Sequence, residues 1–174
     1  FTHWAKLNNL KQAAKTMNFL TEHGISSYGE LESKLNAVSA RRDTAHAEIK
    51  RIESRSAELT LVMKHAGTYR QLKPLYDRYR KSNDKEKFLR GHESEIILFE
   101  AAARELKRLG AVPLPTTESM KTELTNLNAE KERLLAEYKA ARTEAQEYDT
   151  VKQNVDALLT VPKEQEQQRR HELE

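Results

Sequence analysis

Between residues 64 and 90 the chain carries nine basic residues, Lys64, Arg70, Lys73, Arg78, Arg80, Lys81, Lys85, Lys87 and Arg90, against three acidic ones. Tyr69, Tyr76, Tyr79 and Phe88 are interleaved with them. Cations alternating with rings can neutralise phosphates and stack on exposed bases, which is the chemistry of a nucleic-acid surface. The candidate DNA contacts are Arg70, Lys73, Arg78, Arg80, Lys81, Lys85, Lys87 and Arg90. The same residues admit another reading. Tyr69, Leu72 and Tyr76 fall at steps of three and four on one apolar stripe, so the rings can equally be core and the cations its solvated rim.

Other chemistry has less to stand on. The six histidines, His3, His23, His46, His65, His92 and His171, form no HxH or HExxH pattern, and a metal site would have to be gathered from distant parts of the fold. His92 continues an apolar stripe and reads as a satisfied, half-buried side chain. There is no Gly-rich phosphate loop and no GxSxG, and pairs such as Glu130 and Glu137 or Glu93 and Glu100 are what a solvated helix face carries. No catalytic residue, cofactor or metal is therefore expected. With no cysteine there is neither a disulfide framework nor a thiolate site.

The formal charge of +3 hides an uneven distribution: residues 64 to 90 carry +6 and residues 117 to 174 carry −4. Ala, Glu, Leu, Lys and Arg make up 92 of 174 residues, while five glycines and four prolines leave few places to turn, a composition of long helices. No apolar run nears the ~20 residues that span a bilayer, and no signal-peptide pattern opens the chain, so a soluble, cytoplasmic protein with no membrane partner is expected. A start at Phe1 and a polar end at Glu164 to Glu174 suggest a piece of a longer protein.

The elements that position the basic cluster follow from periodicity. Trp4, Leu7, Leu10, Ala14, Met17 and Leu20 form one stripe that predicts a helix over 3–23, capped by Gly24. Ser27 and Glu30 form a capping box that starts the next helix. From it Leu31, Leu35, Val38, Arg42, Ala45, Ile49, Ile52, Ser56, Leu59, Met63 and Ala66 repeat at alternating steps of four and three, an unbroken heptad seam. A helix of about 39 residues spans ~58 Å at about 1.5 Å per residue, so the seam needs a partner of similar length. After the break at Pro113-Leu114-Pro115, Met120, Leu124, Leu127, Lys131, Leu134, Tyr138, Ala141, Ala145, Tyr148, Lys152, Val155 and Leu159 repeat the pattern.

Paired antiparallel, the two seams set Met63 against Leu124, Leu59 against Leu127, Ile52 against Leu134 and Ile49 against Tyr138. Ser56 then falls opposite Lys131 in one shared polar layer, and Arg42 falls near Glu144. The alternative, each helix pairing with its own copy in a parallel homodimer, satisfies the same heptads; the monomeric hairpin is favoured. Between the seams, Gly67 is expected to interrupt the first helix, Pro74 to sit at the start or kink of a short one, Ser82-Asn83-Asp84 to turn and cap, and Phe88 to Leu106 to form a helix ending at Gly110.

The expected fold is all-α: a long antiparallel two-helix coiled-coil hairpin with a small helical head at its tip. In residues, this is an N-terminal helix (1–24) at the base, a stalk (25–66 and 117–161), a basic head (67–116) and a polar, disordered or truncated tail (162–174).

Three segments taken together resemble a known family. WAKLNNLKQAAKTMNFLTEHGI with SSYGELESKL, MKHAGTYRQLKPLYDRYRKSNDKEKFLRGHESEIILFEAAARELK, and EYDTVKQNVDALL are similar to the region that follows the nuclease domain in relaxases, the mobilisation nucleases of conjugative elements of Gram-positive bacteria. The resemblance covers nearly the whole chain. It implies a parent enzyme that nicks DNA at the transfer origin through a tyrosine and a histidine-held metal. Neither has a counterpart here, so no catalytic residue is carried over. It also implies accessory work for this region: holding transfer-origin DNA, or docking relaxosome and coupling proteins. The other expectation is a coiled-coil spacer or dimerisation module with no nucleic-acid role.

Overall fold

A computed structural model of the chain describes the backbone of residues 2–171 and the side chains of residues 8–160. These residues are all-helical, with no strand: α1 (Thr2–Glu22), α2 (Tyr28–Lys81), α3 (Lys85–Arg108) and α4 (Thr117–His171). They divide into two compact units, one of residues 1–47 and 134–174, the other of residues 48–133.

In the first unit, α1 ends as its glycine demands. Gly24 takes a φ of 59°, which frees its own N–H to reach Thr21 O and that of Ile25 to reach Leu20 O, closing the helix in a Schellman motif. Ser27 Oγ caps the Glu30 N–H at 3.2 Å. The Glu30 carboxylate reaches back to the N–H of Ser26 rather than Ser27, at 2.7 Å, so the box is one residue wider than the spacing predicts. These bonds hold the Glu30 carboxyl below its usual pKa, the Ser26 N–H first and its hydroxyl second.

Of the predicted stripe of α1, Leu20 packs on the core, but Leu10, Ala14 and Met17 do not. Leu10 is 69% and Met17 59% exposed, Ala14 is exposed as well, and the side chains of Trp4 and Leu7 lie outside the described residues. The helix docks by its neighbouring face. Thr16, only 2% exposed, donates to Gln12 O at 2.9 Å and accepts from Asn154 of α4 at 3.1 Å. Gln12 donates to the same Asn154 at 3.1 Å. Phe19 and Leu20 complete the contact, packed against a cluster of Ile25, Leu31, Val38, Ala145, Tyr148 and Val151. The docking face of α1 thus joins a polar network, Thr16 and Gln12 with Asn154, to the apolar contact of Phe19 and Leu20.

The heptad positions of α2 and α4 are otherwise the inward ones: from Leu31 to Ala66 and from Met120 to Val155 every seam residue is buried or half-buried, while Leu159 is exposed. In the first unit the pairs Glu32 with Lys152 and Arg41 with Glu144 show the two segments running antiparallel, and His46 stacks on Tyr138 at 5.5 Å. In the second unit Glu53 pairs with Lys131 at 2.7 Å and Arg55 with Glu123 at 2.7 Å.

The pairing of charges along the seams differs in detail from the expected one. Glu144 takes Arg41, not Arg42, which turns to Asp43, and Lys131 pairs with Glu53. Heptads select a face; long charged side chains reach along the helix to whichever opposite charge lies in range. Ser56 Oγ is left buried without a hydrogen-bond partner.

The second unit holds the other departure. Gly67 does not interrupt α2, which runs 54 residues to Lys81 with Pro74 inside it. A helical glycine costs only ~1 kcal/mol and a proline ~3 kcal/mol. Tyr69 and Tyr76, which lie beyond the glycine, are held against α3 by ring stacking, and this packing offsets those costs. Leu59, Val62, Ala66, Leu106, Ala111 and Met120 form the core of this unit, joined by Met63, Leu124 and Leu127.

Asp84 caps α3 through Lys87 N at 3.0 Å, Gly110 ends it at a φ of 68°, and Thr116 Oγ1 opens α4 by accepting from Ser119 N at 3.1 Å. In the tail, the backbone of α4 continues through Pro162 to His171. The tail's side chains and residues 172–174 lie outside the described residues.

Candidate nucleic-acid interface

The basic cluster lies wholly in the second unit, on the last turns of α2 and the first turns of α3, either side of the Ser82–Asp84 turn. A helix repeats every ~3.6 residues, so Tyr69, Leu72, Tyr76 and Tyr79 share one face of α2, Arg70, Lys73, Asp77 and Lys81 lie on the flank beside it, and Arg80 falls close to the ring face. The first face meets α3. Phe99, 6% exposed, lies between Tyr69 at 4.8 Å and Tyr76 at 4.1 Å, with interplanar angles of 24° and 23°. The row continues from Tyr76 to Tyr79 at 5.9 Å, to Phe88 at 6.1 Å and to His92 at 4.8 Å. The tyrosines are thus packing residues of the α2–α3 contact, the second of the two readings their spacing allowed.

All eight candidate DNA contacts are exposed. Two are engaged. Arg70 donates to Thr117 Oγ1 at 2.7 Å and to Pro115 O, tying α2 to the start of α4. Lys73 pairs with Asp77, 3.0 Å to both oxygens, and this hydrogen-bonded partner holds the ammonium above its usual pKa. Among the described residues, no ion pair or hydrogen bond engages the side chains of the remaining six, Arg78, Arg80, Lys81, Lys85, Lys87 and Arg90. A groove of about 540 Å³ runs beside them, lined by Tyr69, Tyr76 and Phe99 below and by Lys73, Asp77, Arg80 and Lys81 at its lip.

His92 departs from its expected role. It is half-buried, but its backbone leaves the helical region (φ −142°, ψ 26°) and kinks α3. Its buried Nδ1 has no hydrogen-bond partner, and Glu95 stands 3.7 Å away. The other described histidines near rings are packing groups: His23 stacks on Phe19 at 4.0 Å and His46 on Tyr138. Among the described residues no group of three His, Cys, Asp or Glu side chains could hold a metal, and no helix is long and apolar enough to cross a membrane.

One polar cluster carries no local signal in the sequence. Tyr28, at the first residue of α2, donates to Asp156 of α4 at 2.6 Å. Lys152 reaches the same carboxylate at 3.2 Å and lies 5.2 Å from the centre of the Tyr28 ring. The Tyr28 hydroxyl first, and Lys152 second, hold the Asp156 carboxyl below its usual pKa. Tyr28 and then Asp156 hold Lys152 above its own.

No family model matches the chain, and neither does any curated protein or solved structure.

Proposed function

We propose that this chain is a non-catalytic accessory module of a conjugative DNA relaxase, which binds DNA or relaxosome partners during mobilisation. In this reading the protein is a cytoplasmic monomer: α2 and α4 form an antiparallel coiled-coil hairpin, the end of α2 with α3 forms its basic head, and α1 sits at the base. The DNA-nicking chemistry belongs to a parent domain outside this sequence. The three resembling segments support the relaxase assignment.

The observation that carries the DNA role is the set of six exposed cations, Arg78 to Arg90, none of them neutralised by a carboxylate of its own unit. A surface whose only need was solubility would gain from i, i+4 pairs like that of Lys73 with Asp77. Unpaired cations concentrated at one helix junction instead attract polyanions.

Fluorescence anisotropy with labelled DNA at several salt concentrations tests this. Binding is expected at low salt and is expected to weaken steeply as salt rises. Equal affinity after Arg78→Glu, Arg80→Glu and Lys81→Glu would rule the DNA role out. The second reading, a coiled-coil spacer or dimerisation module, rests on the heptad seams themselves. It predicts no DNA binding at any salt and, for a dimerisation module, twice the monomer mass.

A further inference from the structure

Resting on the DNA reading above, we infer that the nucleic acid taken by this surface is duplex DNA, held through its backbone phosphates, rather than a single strand. Surfaces that bind single strands without a sequence code combine cations with aromatic rings on which bases stack, each stacked base contributing about 1–3 kcal/mol. The sequence supplies both ingredients here, but the fold spends the rings elsewhere.

Tyr69 and Tyr76 both stack on Phe99, while Tyr79 and Phe88 meet their neighbours at a tilt, with interplanar angles of 40° to 52°. Phe99 lies between Tyr69 and Tyr76, Tyr76 between Phe99 and Tyr79, and Tyr79 between Tyr76 and Phe88. Tyr69 packs on the core of the unit as well as on Phe99, and Phe88 lies between Tyr79 and His92. A base reaching Tyr69, Tyr76 or Phe99 would compete with stacking that already holds the α2–α3 contact. The groove beside Arg80 and Lys81 is lined by rings already engaged with one another, and the exposed cations are what the surface offers most freely.

For such a surface, affinity follows the charge density of the ligand. A duplex carries one phosphate charge per ~1.7 Å of axis, and each of its strands one per ~3.4 Å. The cations sit on two helices whose backbones are fixed, Arg78, Arg80 and Lys81 at the end of α2 and Lys85, Lys87 and Arg90 at the start of α3. The turn joining the helices is itself held by hydrogen bonds, Asp84 N to Ser82 Oγ at 3.3 Å and Lys87 N to Asp84 Oδ1 at 3.0 Å. A rigid array of this kind suits a stiff polyanion. A flexible strand would lose more conformational freedom to follow it.

The test uses the full 174-residue chain, with a labelled duplex of about 20 base pairs and the corresponding single strand, by anisotropy across a salt series. The duplex is expected to bind at least tenfold tighter at each salt concentration. The slope of log K against log salt should reach about −5 for the duplex if all six cations engage, and fall by about 3 in the Arg78→Glu, Arg80→Glu, Lys81→Glu variant. Tyr79→Leu, verified as folded by its circular dichroism, is expected to leave single-strand affinity within twofold. Single-strand binding as tight as duplex binding, or its loss in Tyr79→Leu, would overturn the inference while leaving the DNA role standing. Absence of binding to both ligands at low salt would overturn the two together.

Discussion

The Tyr28 hydroxyl donates a 2.6 Å hydrogen bond to Asp156, a residue 128 positions further along the chain. This bond ties the first turn of α2 to α4 where α1 has just ended, and Lys152 completes the cluster. Its charges set a pH window. The Asp156 carboxyl has a depressed pKa in the folded state. Its contribution is therefore present above the unfolded carboxylate value of about 3.9 and is lost as pH falls through the lower folded value. Lys152 has a raised pKa, so its contribution is complete below the unfolded lysine value of about 10.4 and is lost as pH rises through the higher folded value. Thermal unfolding of Asp156→Asn and of the parent chain should differ most at neutral pH, the variant melting lower, and the gap should close in acid. A gap that persists unchanged at pH 2 would show that Asp156 acts without its charge.

Phe99 is the ring on which the second unit's aromatic row depends. Phe99→Ala should destabilise the chain by about 3–5 kcal/mol, since it removes a buried ring and leaves Tyr69 and Tyr76 facing a cavity. Leu98→Ala, at an adjacent position that is 55% exposed, should change stability by no more than about 0.5 kcal/mol. Urea unfolding of the two variants measures both, and similar midpoints would contradict the packing described.

Ser56 occupies a seam position with a buried, unpartnered hydroxyl. Removing such a group recovers its desolvation cost, so Ser56→Ala should stabilise by about 1 kcal/mol or more. Ser54→Ala on the exposed face of the same helix gains helix propensity alone and serves as the reference. If the two variants shift the urea midpoint equally, Ser56 has found a partner in solution.

The seam residues of α2 and α4 are buried or half-buried within one chain from Leu31 to Ala66 and from Met120 to Val155. A second copy would find these positions already largely covered. Light scattering should accordingly return the monomer mass of 20.1 kDa over a wide concentration range; a stable 40 kDa species would favour the dimerisation reading.

Composition and periodicity sufficed for the helices, the glycine stops at Gly24 and Gly110, the Ser82–Asp84 turn and the inward face of both long seams. These features rest on interactions within a few residues or on a repeat that must face something apolar. Three others were settled only by tertiary contacts. The face by which α1 docks was decided by contacts far away in sequence, Asn154 with Thr16 and Gln12 and the apolar core with Phe19 and Leu20. The continuation of α2 past Gly67 and Pro74 was decided by Phe99, whose stacking on Tyr69 and Tyr76 outweighs a local helix penalty. The role of the tyrosines was decided by the same contact. Sequence placed rings and cations together in one segment, but only the packing of α3 decided that the rings half-bury against one another while the cations stay exposed beside them.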